Sequence, residues 1–147
     1  MRALSGKKDP EKVADAIIHH ADVRRMLLTQ KAVAEGGRAM IYHAAQLADK
    51  MNDALMRGDT AAFEAHDDHL GFYTPILKGF LTEMGYEAAN HGMQVYGGHG
   101  YIKEWGMEQI VRDSRISTLY EGTTGVQALD LIGRKVLLSS KGKVNRD

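Results

Sequence analysis

Residues 70–95 read LGFYTPILKGFLTEMGYEAANHGMQV, and the spacing of apolar side chains in this stretch decides the fold class. Tyr73, Ile76, Leu77, Phe80, Leu81, Met84 and Ala88 recur at intervals of three and four, which places them on one face of an α-helix. Thr74-Pro75 carries a helix-start signature: a side-chain oxygen ahead of a proline whose missing N–H costs nothing in the first turn. Gly79, Gly85 and Gly92 weaken an isolated helix, so close approach of a neighbouring backbone is the expected compensation. The pattern stops at Tyr96-Gly97-Gly98-His99-Gly100, a turn too rich in glycine to be helix.

Upstream, Asp9-Pro10 shows the same start signature and predicts a first helix from residue 10, after a polar, flexible lead-in over 1–9. Val13, Ala16, Ile17, Val23, Met26 and Leu27 begin its apolar face, and Ala44, Leu47, Met51 and Leu55 continue it to Arg57-Gly58-Asp59. Gly36-Gly37 marks a place to bend. Arg57-Gly58-Asp59 resembles an adhesion tripeptide, but a helix-ending turn accounts for it. Residues 60–70 read as a short polar helix. Downstream, Met107, Ile110, Val111, Ile116 and Leu119 predict another helix, and Thr124-Gly125-Val126-Gln127 fits a capping box opening the last one. Residues 141–147 read as a frayed tail. No segment alternates with period two, so the expected fold is all-α, an antiparallel bundle of four main helices over residues 10–140.

The composition excludes several classes of function. Nineteen basic residues balance 19 acidic ones among 147, which argues against nucleic-acid binding. The absence of cysteine removes disulfide scaffolds, thiolate metal sites and thiol nucleophiles. No apolar run approaches the ~20 residues of a membrane span, and the start MRALSGKKDPEK has no signal-peptide stretch. The expectation is a cytoplasmic protein. At 147 residues, 44% of them hydrophobic, the chain is one domain's worth of sequence.

Seven histidines on helices invite a metal reading. A di-iron bundle needs Glu-x-x-His pairs, and no glutamate here has a histidine three residues on. His66 and His69 share a face beside Asp67 and Asp68, where a solvated polar surface is the stronger reading, and no metal is expected. The glycine turn is not a Rossmann fingerprint, since no strand precedes it. It reads equally as a helix cap or as a backbone surface that an anionic group such as a pyrophosphate can approach. Glu121 stands between two predicted helices, after an aromatic residue and before a glycine. It is either an ordinary loop carboxylate or one projecting into a cleft, where partial desolvation readies it as a general base.

The stretch from Gln94 to Lys135, QVYGGHGYIKEWGMEQIVRDSRISTLYEGTTGVQALDLIGRK, closely resembles the C-terminal helical domain of the flavin-dependent acyl-CoA dehydrogenases. The QVYGGHGY turn, the RDSRI helix and the YEGT junction stand in that family's order and spacing. HHADVRRMLLTQKA and LGFYTPILKGFLTEMGYEAANHG resemble it too, especially the larger bacterial members that favour YEGTTG. The resemblance implies α,β-dehydrogenation of an acyl-CoA thioester to the trans-2-enoyl-CoA, with Glu121 taking the α-proton and FAD the hydride. It implies that Gln94, Val95, Gly97 and Gly98 touch the FAD of a neighbouring subunit, and that Thr123 and Thr124 lie beside the flavin. A glutamine of some members is replaced here by Gly125.

The resemblance further implies an electron-transfer acceptor, a homo-oligomer, and a place in fatty acid metabolism, although some YEGTTG members act on sulfur-containing acyl-CoA. Family enzymes carry an N-terminal helical domain and a β-domain ahead of this one. They also carry an arginine-bearing helix start just before the position of residue 1. The chain has none of these, so the expectation is that alone it binds no FAD and is inactive. The alternative is a non-catalytic helical module, derived from that domain, for oligomerisation or interaction.

Overall fold

The computed structural model describes residues 1–138, and the expected tail at 141–147 lies outside them. The elements are helices α1 (Ala21–Met56), α2 (Thr60–Tyr96), α3 (Met107–Ile116) and α4 (Thr124–Leu129), the last running on as a π-helix over Asp130–Leu137. Short 3-10 turns at Ile17–His19, Gly97–Tyr101 and Lys103–Trp105 join them, and no strand occurs among the described residues. The all-α expectation holds. No helix among the described residues is long and apolar enough to cross a membrane.

Helices α1 and α2 form a long antiparallel hairpin, and three contacts fix its register. A Cβ on Gly37 would lie 3.2 Å from Leu81 Cδ2, and His43 meets the ring of Tyr73 edge-on at 5.3 Å. Nearer the other end, Gln30 Oε1 faces Gly92 at 3.4 Å from a Cβ placed there. Gly36-Gly37 therefore does not break α1, because the missing side chain at Gly37 makes room for Leu81. Gly79 and Gly92 admit side chains where close backbone was expected: Thr124 and Gln127 against the first, Met107 against the second. Gly85 faces open space.

Arg57-Gly58-Asp59 is the helix-ending turn expected. Gly58 takes φ +69°, the Asp59 N–H donates to Ala54 O at 2.9 Å, and the Asp59 carboxylate caps α2 by accepting from Ala62 N at 3.0 Å. One short segment thus stops α1 and starts α2.

Two expected helix starts are corrected. Thr74-Pro75 opens nothing: α2 runs unbroken from Thr60, with Pro75 buried inside it, and the Thr74 hydroxyl donates back to Leu70 O at 2.8 Å. The polar 60–70 segment is therefore the first part of the same helix. Asp9-Pro10 also opens nothing, since α1 begins at Ala21; the Asp9 carboxylate accepts from the Glu11 N–H across a turn and pairs with the Lys12 ammonium at 2.9 Å. The last helix is capped one residue earlier than its capping box suggested, by Thr123, whose hydroxyl accepts from Val126 N.

Residues 1–16 fold around one buried carboxylate. Asp15 accepts from the N–H groups of Ala3 (2.9 Å), Lys8 (3.0 Å) and Asp9 (3.1 Å), and from Arg2 Nη1 at 3.1 Å. Donation from Ala3 leads in holding this carboxyl well below its ordinary value, with Asp9, Lys8 and Arg2 adding to it, against burial that pulls it upward. A carboxyl that titrates lower in the folded loop than in the free chain contributes fully above its ordinary value of 3.8 and loses that contribution as the pH falls below it. Amide protection at Ala3, Lys8 and Asp9 is accordingly expected to hold at neutral pH and to decline below about pH 4, the ordinary carboxylate range. Asp15→Asn should remove both the protection and its pH dependence; protection in that variant equal to wild type would contradict this account of the loop.

Candidate functional site

The sequence-predicted residues fall into two groups, both set by α2. The first lies at its C-terminal end. Gly97 takes φ +59° with ψ −144°, a conformation open to glycine alone, and turns the chain out of the helix. Gly100 is buried so tightly that a Cβ there would stand 2.4 Å from Met93 O, which folds the turn back on α2. Gln94, Gly97 and Gly98 are exposed and Val95 is half-buried. Nothing comes within 4 Å of a Cβ placed on Gly97 or Gly98, so their backbone faces open space. Beside the turn stands an aromatic cluster that the sequence reading did not single out. Trp105 lies edge-on to His99 at 5.5 Å and tilted against Tyr96 at 6.0 Å.

The second group is the loop between α3 and α4. Glu121 has φ +54°, the one non-glycine residue with positive φ among those described, and it is exposed. That conformation costs a side-chain-bearing residue about 1–2 kcal/mol. It persists because the loop is held from several sides. Thr118, at 3% exposure, is buried where the loop begins, and Arg115 bonds its hydroxyl while stacking over the Tyr86 ring of α2 at 5.6 Å. Lys78 of α2 donates to Gly122 O and lies 5.9 Å from the centre of the Tyr120 ring. Gln127 Nε2 donates to Glu121 O at 3.0 Å. Gly122, at φ +87°, takes a backbone conformation that strains any other residue, and a Cβ there would stand 2.9 Å from that same amide nitrogen and displace it.

The two threonines differ in what they have left to offer. Thr124 spends its hydroxyl proton on Glu83 Oε1 at 2.6 Å. The Thr123 oxygen accepts as the cap of α4, and among the described residues its hydroxyl donates to no other group. Among the described residues, neither the Glu121 nor the Gly122 N–H donates to another group of the chain.

The groups are not brought together. Glu83, which holds Thr124, and Gln94 are eleven residues apart on one helix, about 16 Å along its axis. An open cleft of about 800 Å³ between α2 and α3, floored by Met93, Val111, Ile116 and Leu119, includes neither group. His66 and His69 join no cluster: among the described residues no three His, Asp or Glu side chains converge as metal ligands.

If the Glu121 backbone is strained as its φ implies, Glu121→Gly should raise the stability of the chain by about 1 kcal/mol, the strain relieved less the extra freedom glycine gains when unfolded. Urea unfolding of the two proteins reads the difference, and a destabilised variant would show that the glutamate side chain contributes more than the backbone costs.

The family described as acyl-CoA dehydrogenase, C-terminal domain, matches residues 3–137. The 3-methylmercaptopropionyl-CoA dehydrogenase of Ruegeria pomeroyi is 46% identical over 121 residues, covering 82% of this chain and 20% of its own. A broad-specificity linear acyl-CoA dehydrogenase of Mycobacterium tuberculosis is 39% identical over 121 residues, again 82% of this chain and 20% of its own. A butyryl-CoA dehydrogenase of Syntrophomonas wolfei is 37% identical over 139 residues, 94% of this chain and 22% of its own. The chain thus spans about a fifth of the length of these curated relatives. With the match running from the loop around Asp15 to the π-helix, the chain belongs to the acyl-CoA dehydrogenase C-terminal domain family.

Proposed function

We propose that these residues form the base-bearing wall of a flavin-dependent acyl-CoA dehydrogenase that oxidises an acyl-CoA thioester to its trans-2-enoyl form. The observation that carries this reading is Glu121 itself, an exposed carboxylate on a strained, clamped loop between two helices. Backbone strain held in place by surrounding bonds is characteristic of groups that must point at a substrate.

In this reading the Glu121 carboxylate takes the proton α to the thioester carbonyl. Its backbone N–H, unspent within the chain, donates to the thioester oxygen and stabilises the enolate-like charge as the proton leaves. Thr123, with a free hydroxyl proton, suits a contact with cofactor or substrate better than Thr124, whose proton Glu83 already takes. The open backbone at Gly97 and Gly98 fits close approach by FAD, with Gln94 and Val95 alongside. Bound FAD supplies the acceptor for the hydride leaving the β-carbon. The roughly 16 Å of helix between the two groups suits contacts to two different flavins, one of them belonging to a neighbouring subunit. A separate electron acceptor fits this reading: one relative is named as a subunit of a caffeyl-CoA reductase-Etf complex.

A second reading, self-association through the helical faces, has its own support. The buried apolar residues are few and mostly small: Ala3, Met26, Ala44, Leu47 and Ala54. Leu28, Ile41, Tyr42 and Leu129 are all more than half exposed. So open a bundle leaves apolar surface for other domains or other copies to cover.

Two outcomes are expected. The 147-residue chain, purified alone, should elute larger than a monomer on gel filtration, because its apolar helix faces are uncovered, and carry no flavin absorbance, because Glu121, Gln94, Gly97 and Gly98 all stand exposed. In the complete enzyme carrying these residues, Glu121→Gln should retain flavin but lose its bleaching by acyl-CoA by at least ~10³-fold, since this removes the base and not the binding. Rapid bleaching in that variant would assign the base elsewhere.

A further inference from the structure

Lys78 is the residue of this site that the sequence pattern conceals. It sits in the middle of α2, half-buried, between the apolar stripe and a run of compact neighbours, Pro75, Gly79 and Thr82. Those compact neighbours let the α3–α4 loop come down onto the helix. A Cβ placed on Gly79 would lie 3.7 Å from Gln127 Cβ and 3.9 Å from Thr124 Cγ2, so the start of α4, where the loop ends, sits directly over this glycine. In the loop, two successive carbonyls belong to residues with positive φ, Glu121 and Gly122. Neither residue lies in a helix, so no helical ladder pairs these carbonyls, and each is taken instead by a side chain: Glu121 O by Gln127 and Gly122 O by Lys78. Of these two donors it is Lys78 that comes from a distant element, bridging 44 positions of sequence, and its ammonium also faces the Tyr120 ring; Glu83, five residues on in the same helix, holds Thr124 just beyond the loop.

We propose that Lys78 is a positioning residue for Glu121. Its charged hydrogen bond to Gly122 O, with the contact to Tyr120, holds the peptide that follows the base and keeps both the carboxylate and the Glu121 N–H aimed outward from the loop. The proposal rests on the dehydrogenase reading for its catalytic part, and on the loop geometry alone for its structural part. A charge-assisted bond of this kind contributes more than a neutral one, because the ammonium is partly withdrawn from water.

Two measurements test it. In the 147-residue chain, Lys78→Met should speed hydrogen–deuterium exchange of the 118–126 segment by about tenfold, leave α1 unchanged, and be largely rescued by Lys78→Arg, which keeps a cationic donor. In the complete enzyme, Lys78→Met should slow flavin bleaching by acyl-CoA about tenfold with KM altered less than threefold and the pH profile unmoved, the pattern of a misaimed base and not of lost binding. Lys78→Gln reads the same comparison should Lys78→Met not fold. Exchange at 118–126 that is unchanged in the uncharged variants, or an Arg variant as fast-exchanging as Met, overturns the positioning role. Normal bleaching in Lys78→Met while Glu121→Gln is dead overturns it and leaves the dehydrogenase reading standing. Normal bleaching in Glu121→Gln removes the dehydrogenase reading and the catalytic half of the proposal with it, while the exchange result still decides whether Lys78 holds the loop.

Discussion

A proline inside a helix removes one backbone donor and presses its ring toward the carbonyl four residues back, at a cost of about 3 kcal/mol. Here that carbonyl is Gly71's, and α2 nonetheless runs on for 37 residues, about 55 Å. Tertiary contacts on both sides of Pro75 offset the cost. Tyr73 packs edge-on against His43 of α1, and Leu81 fills the space left by Gly37. The ammonium of Lys135, from the π-helix, lies 3.2 Å from where a Gly71 Cβ would be, against the turn that the proline disturbs. Continuity of this helix is what gives the molecule a fixed frame. Lys78 and Glu83 hold the Glu121 loop from one part of the rod, and the Gly97–Gly100 turn leaves from its end.

The loop that carries Glu121 illustrates how a strained residue is kept. Its own backbone contributes little, because two residues in a row have positive φ and leave the helical ladder. The restraint comes from side chains of other elements: Arg115 on Thr118, Lys78 on Gly122, Gln127 on Glu121. None of these bonds uses the Glu121 carboxylate, so the group that would do chemistry is free of structural duty. The carboxylate can therefore be altered without cutting any of the bonds that hold the loop.

Much of this was legible in the sequence. The three- and four-residue spacing of apolar positions fixed the helices, and the YEGT junction drew attention to Glu121 before any geometry was known. What misled was local punctuation. Asp9-Pro10 and Thr74-Pro75 carry the same start signal, yet one lies in a loop and the other inside a helix. Capping signals describe what a few residues prefer. At Thr74-Pro75 the burial of Tyr73 and Leu81 against α1 overrode that preference, while residues 1–16 were claimed by Asp15, a long-range hub that periodicity does not reveal. The positive φ at Glu121 was hidden because glutamate rarely adopts it, and only the following glycine hinted at a tight turn. Lys78 was hidden as well. A lone lysine beside an apolar stripe looks like a solvated edge until the loop it grips, 44 positions away, is seen.

The aromatic cluster beside the Gly97–Gly100 turn has an optical consequence. Trp105 is the chain's single tryptophan, and it lies against His99 of that turn and Tyr96 just before it, half open to solvent. Tryptophan emission from this domain therefore comes from one address, at the far end of α2 from its cap. Any molecule settling on the exposed glycine backbone, or any chain packing over the turn, would change the polarity around that one indole. On the proposed dehydrogenase reading, that indole stands beside the surface a cofactor or a neighbouring subunit would cover, and no label has to be added to watch it.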